Sequence, residues 1–368
     1  MVVPNTDLIC EVMLFSEGFE ANTHMLAKKM ITIYSMAAGQ LSKQHHYDWG
    51  LRALKSVLTR AGELKRANTQ LQEEVVLMTA IRDMNMPKFT FEDTPLFVGL
   101  LNDLFPDIEL DPVHHPQLSE KIDELFEEMG YSKVEKQMAK VIQLHETMNA
   151  RHTTMVVGHT GGGKSVIIDI MAKAQTRLGT LTRLFTINPK ACTVLELYGV
   201  LDPTTRDWKW GLFSKIFKEI NQQTDKKEAR YIVFDGDVDA VWVENMNSVM
   251  DDNKLLTLAN SERIRLLPHC ALLFEVGDLQ YASPATVSRC GMVFMDPRNL
   301  SCTTYYERWL KTNKRPEGNI LLGLFERYVM PCVNFINGKV SDTVTAPPLE
   351  TIIPVTAINM VRQLCCLL

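Results

Sequence analysis

The chain has 368 residues, of which 46% are hydrophobic and 23% charged, and its formal net charge is −5. This length allows roughly two or three domains of about 100–200 residues each, and the weakly acidic charge offers no basic field for nucleic acid or an anionic membrane. The eight cysteines are scattered without C-x-x-C spacing, and neither a signal peptide nor a membrane-length apolar run is visible. We therefore expect a soluble intracellular protein with reduced thiols.

Helical periodicity dominates the first part of the chain. Apolar residues recur at helical spacing in three segments, near residues 20–41, 48–67 and 70–84. Proline punctuates the two stretches that follow, 86–97 and 104–118, and we interpret both as linkers. Residues 119–149 then return to a helical pattern with one charged face.

The pattern changes after residue 152. Helical segments now alternate with short apolar runs rich in β-branched residues: TTMVV, TRLFTI, RYIVFD and CALLFEV. This alternation predicts an α/β fold in which helices cover both faces of a parallel sheet. From about residue 301 the pattern is helical again, interrupted by the polar stretch 337–351. Both ends lie within helical patterns that lack caps, so we expect a piece of a larger protein.

A phosphate-binding motif follows the first apolar run. The pattern G-x-x-x-x-G-K-S/T is matched by Gly158, His159, Thr160, Gly161, Gly162, Gly163, Lys164 and Ser165. Its glycines let the backbone wrap an anion, and successive N–H groups at a helix start point at phosphates. Lys164 can reach the β- and γ-phosphates, and Ser165 can ligate Mg²⁺. The motif predicts a site for ATP and magnesium.

The third apolar run supplies the second half of such a site. It ends in Asp235, which we predict to hold the Mg²⁺ shell together with Ser165. ATP-hydrolysing relatives of this architecture usually carry Glu directly after that Asp, whereas this chain has Gly236. Asp237 and Asp239 follow, but a shift of one residue reverses side-chain direction on a strand, and Asp is a methylene shorter than Glu. We expect a site that holds ATP and cleaves it poorly.

The runs FDGDVDAVWVENMNSVMDDNKLLTLANSERIRL and LLFEVGDLQYASPATVSRCGMV resemble the second AAA+ module of the dynein heavy chains. The stretches GHTGGGKS and SPATVSRCGMV look more like the axonemal than the cytoplasmic forms. The end of the first module and its junction with the second resemble YSMAAGQLSKQHHYDWGLRALKSVLTRAGELKR and AIRDMNMPKFTFEDTPLFVGLLNDLFPDIEL. The resemblance implies an AAA+ P-loop NTPase core with a parallel sheet and helical small (lid) domains on either side. It divides the chain into a small domain at 1–88, a large α/β domain at 89–300 and an incomplete small domain at 301–368.

The resemblance also implies roles for two arginines. Arg289, in SPATVSRCG, corresponds to the arginine finger that enters the nucleotide site of a neighbouring ring module. A guanidinium suits this role because it is always charged and can donate two parallel hydrogen bonds to phosphate oxygens. Arg52, in the triplet GLR, resembles the sensor-2 arginine of the preceding module. Two positions depart from the family: Asp278 is the nearest polar residue where the first-sensor Asn is expected, and Ser261 replaces the glycine of a hairpin turn.

These features predict an ATP-binding ring module that holds its nucleotide structurally or as a regulator and lends an arginine finger to the preceding catalytic module. The full-length chain would drive minus-end-directed microtubule motility in the cytoplasm and cytoskeleton, or ciliary beating if axonemal. Its partners would be the other AAA+ modules, dynein intermediate and light chains, and microtubules. The alternatives are a hydrolytically active ATPase module and a truncated non-motor scaffold. A nucleotide kinase or GTPase is less favoured, because the N-K-x-D guanine motif is missing.

Overall fold

The structure is a computed structural model that describes residues 4–68, 70–106, 108, 115–224, 226–313, 317–338, 349 and 355–368. Its buried apolar side chains form a cluster within the N-terminal helices, one on each face of a parallel sheet, and one within the C-terminal helices. The predicted α/β fold is confirmed. Over these residues, no helix has both the length and the apolar character that a membrane crossing requires.

The N-terminal region consists of helices α1 (Thr6–Ser16), α2 (Thr23–Gln40), α3 (Leu51–Ala67), α4 (Glu73–Asn85) and α5 (Asp93–Leu104). The three helices predicted in this region are confirmed as α2, α3 and α4. All five share one core, in which Phe97 and Leu101 of α5 lie with Met30, Leu58 and Ile81. This core packs against one face of α3, and Arg52 lies on the exposed face of the same helix.

The interpretation of residues 86–97 as a linker is wrong in part, because α5 begins inside it at Asp93. Pro95 lies in the first turn of this helix, where the backbone N–H has no intrahelical acceptor and proline is tolerated. In the second predicted linker, α6 begins at Pro116, while residues 107 and 109–114 lie outside the described residues. The domain limits drawn after residues 88 and 300 stay predictions.

The strands run in chain order as β1 (Thr153–Val157), β2 (Leu181–Ile187), β3 (Gly199–Leu201), β4 (Trp208–Trp210), β5 (Glu228–Asp235), β6 (Leu255–Thr257), β7 (Arg263–Arg265), β8 (Cys270–Val276) and β9 (Gly291–Phe294). The central sheet is parallel throughout, in the order β2-β5-β8-β1-β9. Two antiparallel hairpins, β3–β4 and β6–β7, stand beside it. Ser261, in the β6–β7 turn, has a φ of 67°, the left-handed conformation that favours the glycine it replaces.

Helices cover both faces of the sheet, as predicted. Between the strands and before them lie α6 (Pro116–Glu128), α7 (Glu135–Ala150), α8 (Lys164–Arg177), α9 (Val194–Tyr198), α10 (Leu212–Ile220), α11 (Ala240–Val243), α12 (Asn247–Met250) and α13 (Pro284–Val287). One face packs on α6, α7 and α8, and the other on α10, α11 and α12. Strand β5 shows the alternation: Ile232 and Phe234 enter the α10 side, whereas Tyr231 and Val233 enter the α8 side. Asp235, one residue beyond Phe234, therefore belongs to the α8 side.

The C-terminal region consists of α14 (Cys302–Asn313), α15 (Gly318–Ile336) and α16 (Ala357–Leu367), which confirms the predicted return to helix. Tyr306, Phe325, Val329 and Val361 form its core. Most of the polar stretch 337–351 lies outside the described residues. Helices α14 and α16 stand next to the loop between β1 and α8, where the predicted phosphate site lies.

Candidate functional site

The phosphate-binding motif forms the loop between β1 and α8. A Cβ on Gly158 would lie 2.3 Å from the carbonyl oxygen of Met295, so only glycine allows this approach of the loop to β9. Gly163 has a φ of 85°, and a Cβ there would lie 2.7 Å from Gln137 Nε2. Such a loop is thin enough for successive backbone N–H groups to surround a phosphate at the start of α8.

The middle of the loop closes on itself and meets the C-terminal helices. The N–H of Gly162 donates to the carbonyl oxygen of His159 at 3.1 Å. Thr160 and Gly161 line a cavity of about 690 Å³. A Cβ on Gly161 would lie 3.0 Å from Oδ1 of Asn359 on α16, so the loop and this helix are neighbours.

Lys164 is the first residue of α8, and its ammonium group stays inside the loop. Nζ donates to the carbonyl oxygens of Gly158 at 2.7 Å and His159 at 3.2 Å. Burial lowers the pKa of Lys164, and nearby carboxylates, Glu275 foremost, oppose this shift. The amine is thus held where phosphate oxygens would replace backbone carbonyls as its acceptors.

Ser165 and Asp235, the predicted magnesium ligands, meet at the carboxyl edge of the sheet, together with Glu275. The Ser165 hydroxyl donates to Glu275 Oε1 at 2.6 Å. Glu275 is the register partner of Asp235 on the neighbouring strand β8, and all three residues line the same cavity. Hydroxyl and carboxylate oxygens are hard ligands of the kind that Mg²⁺ prefers, so this set of residues fits the ion.

Sequence analysis missed Glu275 and singled out Asp278 on the same segment. Asp278 is exposed, and its Oδ1 accepts the backbone N–H of Gln280 at 3.1 Å. The carboxylate of this strand that lines the cavity is Glu275, and the assignment is corrected accordingly. A signal was present in the sequence, because Glu275 is the one charged residue in the apolar strand CALLFEV.

The position after Asp235 carries no side chain, because it is Gly236. Asp237 lines the cavity, and its Oδ2 pairs with Lys190 Nζ at 3.0 Å. Asp239 is the N-cap of α11, where its Oδ1 accepts a backbone N–H at 3.1 Å. Both acids after the glycine are therefore engaged in local structure.

Two arginines and a tyrosine that sequence analysis did not identify complete the cavity lining: Arg308 of α14, Arg362 of α16 and Tyr131 before α7. The Arg308 guanidinium carbon lies 3.8 Å from the centroid of the Tyr131 ring. Arg362 could have been found, because it is the one charged residue in the helix AINMVRQLCCL. A phosphate loop, cations and an aromatic ring around one cavity form a site for a nucleotide.

Arg289 and Arg52, with predicted roles at a neighbouring module, meet at one carboxylate. Arg289 Nε donates to Asp251 Oδ1 at 2.7 Å, and Arg52 Nη2 lies 3.5 Å from the same oxygen. Arg52 Nη1 also donates to Ser288 Oγ at 3.3 Å. Both arginines line a second cavity, of about 770 Å³, at the amino ends of β1 and β8. The two cavities therefore lie at opposite edges of the sheet.

Arg151 ties these two arginines to the body of the sheet. It donates to the backbone carbonyl oxygens of Ser288 at 3.3 Å, Arg289 at 3.1 Å and Arg52 at 3.3 Å, and to Ser56 Oγ at 2.8 Å. Burial lowers the pKa of its guanidinium. One side chain, two residues before β1, thus joins α3 to the segment before β9.

Comparisons with known proteins give a consistent result. A family model described as the hydrolytic ATP binding site of the dynein motor region matches residues 1–165. Human dynein axonemal heavy chain 10 is 60% identical over 367 residues, which is 99% of this chain. The dynein-1-alpha heavy chain of the flagellar inner arm I1 complex from Chlamydomonas reinhardtii is 57% identical over 375 residues, and the ciliary dynein beta chain of Tripneustes gratilla is 41% identical over 369 residues; each match covers 100% of this chain. The chain spans 8% of the length of each of these relatives.

The strand order, the phosphate loop after β1 and the carboxylate that ends β5 define a nucleotide-binding domain of the AAA+ P-loop class. Helical regions precede and follow that domain. With relatives of this identity over nearly its whole length, the chain belongs to the motor region of the axonemal dynein heavy chains.

A first prediction concerns Arg151. Arg151→Met keeps the apolar stem and removes the hydrogen bonds from Arg151 to the carbonyl oxygens of Ser288 and Arg289, so we expect a loss of about 2 kcal/mol in unfolding free energy and faster hydrogen exchange at residues 285–290. Chemical denaturation and mass-spectrometric hydrogen exchange measure both effects.

The matched control is Arg177→Met, because Arg177 pairs with Glu124 and Glu128 at the exposed surface. Arg177→Met should lower the unfolding free energy by less than about 1 kcal/mol. Equal stability and equal exchange in the two variants would show that Arg151 does not hold the Arg289 segment.

Proposed function

We propose that the chain comprises the end of one AAA+ module and most of the next module of a dynein motor ring, and that the second module retains ATP with little hydrolysis. The observation that carries the proposal is Gly236 directly after Asp235, where a general base is expected. Loss of a general base lowers a rate by about 10²–10⁴-fold. The contacts of Asp237 with Lys190 and of Asp239 with the start of α11 support the proposal, because each contact would have to break before that acid could act as the base.

ATP and Mg²⁺ are the proposed ligands of the 690 Å³ cavity. The loop from Gly158 to Ser165 would bind the phosphates through its N–H groups, and Lys164 would orient the β- and γ-phosphates. Ser165 and Asp235 would hold the magnesium, which offsets phosphate charge when bound. The placement of these groups around one cavity supports this assignment.

Arg289 is proposed to act in trans, on the nucleotide of the preceding module. Two features support this role. Arg289 stands at the amino edge of the sheet, away from the phosphate loop of its own domain. Arg289 and Arg52, the arginine assigned to the preceding module, also both pair with Asp251. Two guanidinium groups therefore lie at one cavity. Guanidinium groups in such an arrangement suit a polyphosphate.

Within a full-length heavy chain, the module would serve minus-end-directed microtubule motility and, in the axoneme of the cilium, ciliary beating. The other ring modules, dynein intermediate and light chains, and microtubules are the proposed partners. The identity to relatives named as axonemal, flagellar and ciliary dyneins supports this setting.

A hydrolytically active module is the second candidate, and one observation favours it. Glu275 is a carboxylate of the right length that lines the same cavity. Its hydrogen bond to Ser165, however, places it on the side of the proposed metal. The predictions below separate the two candidates.

Lys164→Ala removes the cation that would contact the β- and γ-phosphates. We expect ATP affinity to fall by at least about 100-fold, since charge-assisted phosphate contacts are among the strongest polar contacts. Binding of a fluorescent ATP analogue measures this, with the exposed Lys209→Ala as control. Equal affinity in parent and Lys164→Ala would refute the phosphate-loop assignment.

Nucleotide released from the folded, ATP-loaded chain should be ATP and not ADP, because Gly236 leaves the usual position of the general base without a side chain. Loading with ATP and magnesium, followed by acid release and chromatography over several hours, tests this. Conversion of most of the bound pool to ADP in that time would favour the active ATPase instead.

Arg289→Ala in a full-length heavy chain should slow ATP turnover by about 10³–10⁵-fold, the usual contribution of a trans arginine finger. Nucleotide retention at residues 158–165 should stay unchanged, since Arg289 lies at the other edge of the sheet. Steady-state turnover and nucleotide content are the measurements, and exposed Arg263→Ala is the control. If Arg289→Ala turned over ATP at the same rate as the parent, the assignment of Arg289 as an arginine finger would be refuted.

A further inference from the structure

We propose that Glu275 is a positioning residue of the magnesium site: it accepts a hydrogen bond from the Ser165 hydroxyl, turns the oxygen lone pairs toward the ion and adds a second carboxylate beside Asp235. The inference rests on the proposed function, because it needs ATP and magnesium in this cavity. The phosphate-loop pattern assigns the metal to the loop Ser and to the Asp that ends a strand, and it assigns nothing to this glutamate.

The hydrogen bond between Ser165 and Glu275 carries the argument. A serine hydroxyl has one proton and two lone pairs. When the oxygen ligates a cation through a lone pair, the proton needs another acceptor, and Glu275 Oε1 lies 2.6 Å away. An acceptor that orients a ligand in this way also raises its basicity, and its loss typically costs about 10–100-fold in metal affinity.

The sheet fixes Glu275 in the middle of the site. On one side its register partner is Asp235 of β5, and on the other it is Val156 of β1, the strand that leads into the phosphate loop. Glu275 follows Ala271 and Leu273 in the row of β8 that faces α8, the helix that carries Ser165. Both carboxylates and the hydroxyl thus lie on one side of the sheet.

The charges around Lys164 favour a bound cation. Glu275, Asp235 and Asp237 all act electrostatically on its ammonium group, and of these Asp237 also pairs with Lys190. A polyphosphate that enters this cavity adds further negative charge beside these carboxylates, and like charges at short distance repel each other. ATP should therefore bind weakly without a divalent cation, and magnesium should raise its affinity steeply.

The experiment compares ATP affinity with magnesium in excess and in EDTA, by titration of a fluorescent ATP analogue into the chain. Magnesium should raise the ATP affinity of Glu275→Gln about 10–100-fold less than it raises that of the parent chain. The ATP affinity in EDTA should stay equal or rise, because a repulsive charge is gone. Glu275→Asp keeps the charge but is too short to reach Ser165. Magnesium should therefore also raise its ATP affinity less than in the parent, while its ATP affinity in EDTA should not rise. Glu219→Gln makes the same charge change at an exposed position of α10, and both of its ATP affinities should match those of the parent.

Four outcomes would overturn the inference. A magnesium gain in Glu275→Gln equal to that of Glu219→Gln would leave Glu275 without a part in the metal site. Equal losses of affinity in magnesium and in EDTA would show a general structural role. An unchanged magnesium gain with slower single-turnover cleavage of ATP would make Glu275 the base of an active ATPase. A parent chain that binds no ATP under either condition would overturn the proposed function as well, so the two failures are distinguishable.

Discussion

The parallel register of β5, β8 and β1 is the constraint on which the rest of the molecule depends. It aligns Asp235 with Glu275 and Glu275 with Val156, which places Glu275 beside the strand that enters the phosphate loop and Asp235 on the next strand. A shift of one residue in any of these pairs would turn a carboxylate into the apolar layer on the other face of the sheet. The large apolar side chains of that layer, such as Phe234 and Phe274, enforce the register because they are fully buried.

The same strands connect the two cavities. Strand β1 begins two residues after Arg151 and ends directly before Gly158. Strand β9 begins two residues after Arg289, and directly beyond its end the N–H of Met295 donates to the carbonyl oxygen of Val157 at 2.7 Å. A strand of five residues spans about 16 Å. The nucleotide loop and the Arg289 segment are therefore the two ends of a short, hydrogen-bonded unit and cannot move far independently.

Local patterns in the sequence predicted the fold and much of the site. The loop from Gly158 to Ser165 and the strand that ends in Asp235 follow from spacing and apolar runs, which depend on near neighbours in the chain. Glu275, Arg308 and Arg362 reach the cavity through strand order and helix packing, which no single stretch of sequence encodes. Helix α5 escaped prediction for another reason, because Pro95 in a first turn looks the same in sequence as a proline in a linker. The meeting of Arg52 and Arg289 at Asp251 likewise joins residues more than two hundred positions apart.

A nucleotide that is bound and not cleaved would permanently stabilise the contact between the phosphate loop and the helices beside it. The phosphate loop touches the C-terminal helices through Gly161 and Asn359, and Gly163 lies against Gln137 of α7. A ligand that contacts loop and helices together stabilises only the state in which they are docked, by about 2.7 kcal/mol at a concentration 100 times its dissociation constant. Hydrolysis would make this contribution vary with each cycle, whereas retention keeps it constant. Through β1 and β9, a nucleotide retained at one edge of the sheet would limit the movement of Arg289 at the other, as the proposed role of Arg289 at a neighbouring site requires.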